Sequence, residues 1–220
     1  MGSSRNKAIL EWLFVGIVMV LLSVPLWLKV DQLPIRLWDE AQNAVNALEM
    51  SQTHNWLVRT YDYLPDTFDC KPPLLIWFQV LSIKALGLTE LAIRLPSVIF
   101  SILSCFVLFG LVYKMTDKKW IGLIAVLITV SSVGFYGEHA GRYGDHEALL
   151  ILLILGFLYY LYRYSESPLN KYLYYMGAVI VLGVLCKSIA ILMVLPGSVL
   201  YLWYSKRLPS LFSNRHLYSA

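Results

Sequence analysis

Long apolar runs alternate with short polar segments along most of this chain. The first run covers about residues 9–28, and a membrane-spanning helix needs roughly 20 predominantly apolar residues, within a range of about 17–25. Arg5 and Lys7 precede it, as they would a signal peptide. The run is too long for a signal core, however, and no small-residue cleavage site follows before Lys29 and Asp31. It therefore predicts an uncleaved first span. Five further runs, at about 93–113, 120–135, 148–163, 172–185 and 189–204, predict five more spans. The shorter ones need their flanks or tyrosine-rich ends to reach the interface, and the last pair also reads as a re-entrant element.

Between the first and second spans lies a polar stretch, residues 31–90. A helical pattern over about 39–52 places Ala41, Ala44, Val45, Leu48 and Met50 on a mostly apolar face. The segment from Tyr61 to Asp66 reads as loop. Pro72 and Pro73 suit a helix start, and residues 74–86 predict a short interfacial helix with Trp77 and Phe78 at headgroup depth. Gly87 ends it. The fold class these patterns predict is all-α: a polytopic transmembrane bundle whose outer loop carries juxtamembrane amphipathic helices.

Composition agrees with the pattern. Hydrophobic residues make up 58% of the 220 and charged residues 15%, with a mean hydropathy of +0.62. Soluble domains carry roughly 45–50% apolar and about 25% charged residues, so that class is excluded, as are disorder and collagen-like repeats. The three cysteines form no framework: Cys105 and Cys186 lie in apolar runs, Cys70 lies in a polar loop, and there is no CxxC spacing. The net charge of +4 reflects topology and not nucleic-acid binding. With the N-terminus in the cytoplasm, the short inside segments carry Arg5, Lys7, Lys114, Lys118, Lys119, Arg163, Lys171, Lys206, Arg207 and Arg215, as the positive-inside rule requires. Most acids then fall outside.

Ionisable groups beside apolar runs are costly, and so point to function. Asp39 and Glu40 stand at a predicted helix start, where acids also serve as caps and complement the helix dipole. Lys71 precedes Pro72-Pro73 as either a snorkelling lysine or a cation beside exposed helix amides, which is an anion site. The loop Glu138-His139-Ala140-Gly141-Arg142-Tyr143-Gly144-Asp145-His146-Glu147 is too charged for a simple connection. Its Asp145 has the position of an N-cap, and its glycines permit close approach of another group. His139 and His146 are seven apart, not the i, i+4 spacing of a helical zinc pair, so spacing does not indicate a divalent metal. Lys187, next to Ser188 between two apolar runs, either snorkels or faces a polar cavity.

Taken in order, these features resemble the N-terminal half of the GT-C type lipid-linked-sugar glycosyltransferases, in the superfamily of aminoarabinose transferases and protein O-mannosyltransferases. Trp38-Asp39-Glu40, Asn55-Trp56-Leu57-Val58, Lys71-Pro72-Pro73-Leu74, Gly87-Leu88-Thr89-Glu90-Leu91-Ala92-Ile93-Arg94-Leu95-Pro96, Asp145-His146-Glu147-Ala148-Leu149-Leu150 and Leu185-Cys186-Lys187-Ser188 carry the resemblance. Departures are Cys70 where the family has Glu, Ser188 where Gly is common, and no proline before the Asp-Glu pair. The resemblance implies a multi-pass protein of a bacterial cytoplasmic membrane, with its active site on the outer side. It moves a sugar from a polyprenyl-phosphate donor to a lipid A-like or protein acceptor, with inversion.

Asp39 then matches the catalytic carboxylate of the first loop, Asp145 the acid of the second loop, and Lys71 the lysine that meets donor phosphate. Arg142 joins Lys71 as a phosphate-binding candidate, and Glu40, His146, Glu147 and Lys187 are secondary candidates. The chemistry suits these residue types: a cation stabilises the departing phosphate, a carboxylate activates or orients the nucleophile, and carboxylates stabilise oxocarbenium character. Asp39, Lys71 and Asp145 are expected to converge, with Asp39 weighing more in the chemistry than Glu40. Relatives are longer, so the chain is expected to be an N-terminal part, incomplete at its C-terminus. The competing class is a non-catalytic membrane subunit or transporter module. A transporter predicts inverted-repeat hydropathy, and no convincing repeat is evident here.

Overall fold

Sustained apolar composition makes most of the chain helical. The computed structural model describes residues 2–68, 71–137 and 141–219; the predicted loop residues Asp69, Cys70, Glu138 and His139 lie outside these. Helix α1 (Gly2–Trp27) leads through an irregular linker to α2 (Asp39–Thr53) and a two-stranded antiparallel ribbon, β1 (Thr60–Tyr61) with β2 (Leu64–Pro65). Then follow α3 (Leu74–Leu86), α4 (Glu90–Thr116), α5 (Lys119–Ser131) and a short α6 (Val133–Tyr136). The chain closes with α7 (Glu147–Glu166), α8 (Asn170–Lys187), a 3-10 segment Ser188–Met193, α9 (Val194–Tyr204) and α10 (Leu208–Phe212).

Local chemistry sets the boundaries. The hydroxyl of Thr89 accepts from the Ala92 amide and starts α4, and Gly87 ends α3 at φ 76°, a backbone region that favours glycine. Where an unbroken run 120–135 is predicted, the helix breaks at Ser132, whose extended backbone separates α5 from α6. Likewise, the run 189–204 begins as a 3-10 segment. There Ile191 seats against Gly183 so closely that a Cβ on Gly183 would collide with it. The residues of α8, the 3-10 segment and α9 form a helical hairpin that brings Leu202 back against Tyr172 and Leu173.

Four apolar clusters hold the bundle together. One joins α1, α4 and α5 through Val15, Met19, Phe109 and Val126. A second joins α3, α4, α7 and α8 through Leu75, Phe100, Leu149 and Cys186. A third sits under α2 with Met50, Ile76 and Ile93, and a fourth joins α7, α8 and α9. The outward faces of α1 and α9 remain apolar and exposed, with Leu13, Ile17, Leu21, Leu200 and Trp203 among them, the arrangement a lipid-facing helix requires. Four stretches are long and apolar enough to cross a membrane, the last of them running over α8 and α9 together.

The two helices of the polar stretch are packed into the bundle. The side of α2 that turns inward is polar: Glu40, Asn43, Asn46 and Glu49 are buried with Ala47 and Met50, while Ala41, Ala44, Val45 and Leu48 are only partly covered. Tertiary hydrogen bonds outweigh the apolar stripe. Helix α3 keeps Phe78, Leu81 and Leu86 exposed on one side. It is wedged among α2, α4 and α8, with Leu75, Ile76, Gln79 and Val80 fully buried.

The bundle has two chemically distinct ends. At one, Lys119 pairs with Glu11, the Tyr162 hydroxyl donates to the Lys114 carbonyl, and Ser165 bonds Tyr201. At the other, the linker after α1, α2, the start of α4, the loop before α7 and the C-terminus of α8 come together.

Candidate active site

At this second end the chain reverses from linker into α2 through Trp38, which adopts φ 74°, an unusual conformation for a bulky residue. Trp38, not Asp39, holds the cap position, and no side chain caps the helix. Asp39 is therefore free of the capping duty its position suggested. Its Oδ1 instead accepts from Lys71 Nζ at 2.9 Å. Lys71 arrives on the segment leading to α3, and its carbonyl accepts from Arg59 at 2.9 Å. Arg59 is itself buried against α2, donating from Nε to Asn46 Oδ1 at 2.9 Å and from its terminal nitrogen to Asn43 Oδ1 at 3.2 Å. Asn43 and Asn46 of the inward polar stripe of α2 thus seat Arg59, which in turn holds the lysine segment.

Glu40 points a different way from Asp39. Its carboxylate takes a two-pronged ion pair from Arg94 of α4, at 2.7 and 2.9 Å, and also accepts from the amides of Arg36 and Gly144, at 2.8 and 2.9 Å. Burial alone would raise this carboxyl, but the bonds from Arg94, Arg36 and Gly144 outweigh it and hold it below the ordinary 4.5. Arg94 spends its remaining donors on the carbonyls of Val30, Leu33 and Pro34, at 2.7, 2.7 and 2.8 Å. Five donors find five bonds, so a fully buried guanidinium is satisfied.

The loop before α7 is pressed into the bundle. A Cβ on Gly144 would lie 2.6 Å from Ile93 Cγ2, so only glycine fits. The Gly144 carbonyl accepts from Asn43 at 3.0 Å and from Gln79 at 3.2 Å. Asp145 follows, nearly buried, and its Oδ1 accepts from the His146 amide at 2.7 Å. It does not cap α7; His146 holds that position, without a side-chain bond. The His146 ring is completely buried, and neither ring nitrogen has a hydrogen-bond partner among the described residues. Its Nδ1 lies 3.5 Å from Asp145 Oδ1, beyond good hydrogen-bond geometry. Burial lowers its pKa; Asp145 opposes this, while the positive charges of Lys71 and Arg59 add to it. The ring is therefore neutral near pH 7. Glu147, the first residue of α7, is paired with Lys187 at the end of α8.

These contacts bring Asp39, Lys71, Asp145, His146, Glu147 and Lys187 to one end of the bundle, in a polar cluster that also holds Arg59. Arg142 sits elsewhere on the loop: its guanidinium is 5.7 Å from the Tyr143 ring centre and 3.4 Å from the Leu28 carbonyl at the end of α1. Among the described residues, no group of three or more His, Cys, Asp or Glu side chains is arranged to hold a metal ion. Beside Asp39 a groove of about 750 Å³ opens between α2 and the ribbon, lined by Trp38, Ala41, Val45, Leu64 and Phe68. The residues that sequence patterns did not single out are Arg59, Arg94, Asn43 and Asn46. Their only signals were the i, i+3 spacing of Glu40, Asn43 and Asn46, and the arginine in the Glu90–Pro96 stretch.

A predominantly helical bundle with four stretches able to cross a membrane and a charged cluster at one end defines a polytopic membrane protein. The family model for dolichyl-phosphate-mannose-protein mannosyltransferase matches residues 70–220, and the chain belongs to that family. The matched part contains Lys71, Asp145 and Lys187; Asp39 precedes it. The fold is that of ArnT from Cupriavidus metallidurans. Its apo structure superposes with a TM-score of 0.74 at 19% identity, over 97% of this chain and 39% of that one. Its structure bound to undecaprenyl phosphate gives 0.74 and 19%, over 94% and 38%. The chain thus spans about two fifths of the length of these structures. No curated protein sequence matches it.

Proposed function

We propose that the chain carries the donor-handling end of a GT-C membrane glycosyltransferase, with six spans at about 9–28, 93–113, 120–135, 148–163, 172–185 and 189–204. The enzyme transfers a sugar from a polyprenyl phosphate to a lipid or protein acceptor on the outer face of the cytoplasmic membrane. The observation that carries this is the Lys71–Asp39 pair, set beside the buried Asp145–His146 loop in a chain of this family.

The residue types fit the chemistry. An acceptor hydroxyl oxygen bonds to the sugar's anomeric carbon as the carbon–oxygen bond to phosphate breaks, with inversion. Asp39 accepts the hydroxyl proton. Lys71 stabilises the negative charge left on the phosphate. Asp145 and Glu147 face the positive charge that develops on the sugar, and Lys187 fixes Glu147. In the resting site Lys71 and Asp39 hold each other, with side chains 21% and 39% exposed. An arriving phosphate competes with Asp39 for the Lys71 ammonium. That one exchange charges the phosphate site and releases the base.

The test is a transfer assay on the full-length protein in lipid nanodiscs, with radiolabelled sugars on undecaprenyl phosphate. Asp39→Asn is expected to remain folded and inserted while turnover falls about 10²–10⁴-fold. Lys71→Ala is expected to lose both turnover and binding of undecaprenyl phosphate. Wild-type turnover in Asp39→Asn would overturn the assignment of the base.

A further inference from the structure

We propose that the buried Glu40–Arg94 pair is a positioning device that fixes Asp39 and Asp145 relative to one another; this rests on the reading of the site given above. Glu40 directly follows Asp39, and its Oε1 holds the amide of Gly144, which directly precedes Asp145. A single side chain is therefore one residue from each of the two carboxylates, although they are far apart in sequence. Arg94 anchors that side chain to α4, the longest helix among the described residues, and draws in the linker through three carbonyls. Both residues are buried, at 4% and 1% relative exposure, and all five guanidinium donors are taken within the protein, so their role is to hold other groups in place.

The choice of residue types supports positioning over mere stability. Well-packed apolar residues stabilise as well as a buried ion pair does, and they tolerate sliding. A guanidinium presents five donors in one rigid plane, so its five bonds specify the orientation of the linker and of Glu40 on α4 at once, and Glu40 passes that constraint to the loop through the Gly144 amide. Tyr143, in the same loop, adds to this: Arg36 stacks 4.2 Å above its ring centre and Arg94 lies at 5.7 Å. The loop that carries Asp145 is thereby tied to the linker that leads into Asp39. Misplacement of reacting groups by about 1 Å costs about 10²-fold in rate.

The experiment compares wild type, Arg94→Lys and Glu40→Asp in the full-length protein in nanodiscs. Arg94→Lys keeps the charge and loses the fork; Glu40→Asp keeps the carboxylate and cannot reach both Arg94 and Gly144. Turnover per folded molecule is expected to fall about 10–100-fold in both. KM for the donor and Kd for undecaprenyl phosphate should stay within about twofold, because Lys71 is untouched. Hydrogen–deuterium exchange is expected to rise together in residues 30–36 and 141–146. A loss of activity that only tracks the folded fraction, or exchange that rises in one segment alone, would overturn the proposal. If wild type transfers no sugar, the proposed function fails. The exchange measurement still decides whether Glu40 and Arg94 couple the two segments.

Discussion

Asp39 and Glu40 are neighbours with opposite fates, and helix geometry is the reason. Adjacent side chains on a helix diverge by about 100°, so only one can face the open end while the other enters the bundle. From the sequence, Glu40→Gln is expected to be the milder change for sugar transfer. The structure separates chemistry from stability. Removing the charge of Glu40 leaves Arg94 buried without its partner, which costs about 3–5 kcal/mol. Asp39→Asn keeps the shape of a half-buried side chain and weakens its pairing with Lys71, which is expected to cost less. Urea or thermal unfolding in nanodiscs should show this order. The pH dependence has a definite sign. Because the folded carboxyl of Glu40 lies below its unfolded value of 4.5, its stabilisation is present above 4.5 and is lost as pH falls through the folded value. His146 acts in the same sense, higher on the scale. Its folded pKa lies below the ordinary 6.5, so the unfolded chain takes up the proton first and stability declines as pH drops below 6.5. His146→Gln should flatten the stability curve just below 6.5. A variant curve with the wild-type slope there would rule out His146 as its source.

At the scale of elements, apolar periodicity marked each long helix but did not reveal that a polar side of α2 is buried. Its apolar residues recur at helical spacing, and so do its polar ones; contact with residues distant in sequence, Arg59 just before the ribbon and Arg94 of α4, decides between them. That contact is invisible to any local pattern. The cap positions failed similarly: Asp39 and Asp145 have cap-like positions, yet both carboxylates are engaged elsewhere, at Lys71 and at the His146 amide. The legible part of the site was the set of ionisable residues flanking apolar runs, since their cost beside a membrane is local. The supporting arginines were not legible, because a satisfied buried guanidinium has no local signature. The hairpin of α8 and α9 is a further case. It turns at Ser188, at φ 51°, and closes where Ile191 meets Gly183. Gly183→Val should destabilise by about 1–3 kcal/mol through overpacking. Ile191→Ala in the same chain should recover part of that loss. Simple addition of the two losses would show that these residues do not share one contact.

Over the whole molecule, the order of apolar runs determines which loops share an end, and the contacts respect that order. Glu11, Lys114, Lys119, Ser165 and Tyr201 come from separate segments and meet at one end. The helix ends and short connections at that end carry Lys118, Arg163, Lys171, Lys206 and Arg207. Asp39, Lys71, Asp145 and Lys187 gather at the other. Lysine and arginine in short loops stay on the cytoplasmic side, so the basic end is expected inside and the carboxylate end outside. This orientation also suits the chemistry, since a polyprenyl chain remains in lipid while its phosphate reaches the rim of the bundle. Single cysteines report it directly. Asp62 lies in the exposed ribbon turn, and Ser167 is exposed in the α7–α8 connection, whereas Ser165 is buried against Tyr201. The native Cys105 and Cys186 are buried and should not compete. In a Cys70→Ser background, a membrane-impermeant maleimide is expected to label Asp62→Cys in intact cells. Ser167→Cys should react only after permeabilisation. Labelling of residue 167 from outside would invert the bundle, put Lys71 and Asp39 on the cytoplasmic side, and remove the basis for an outer-face transfer.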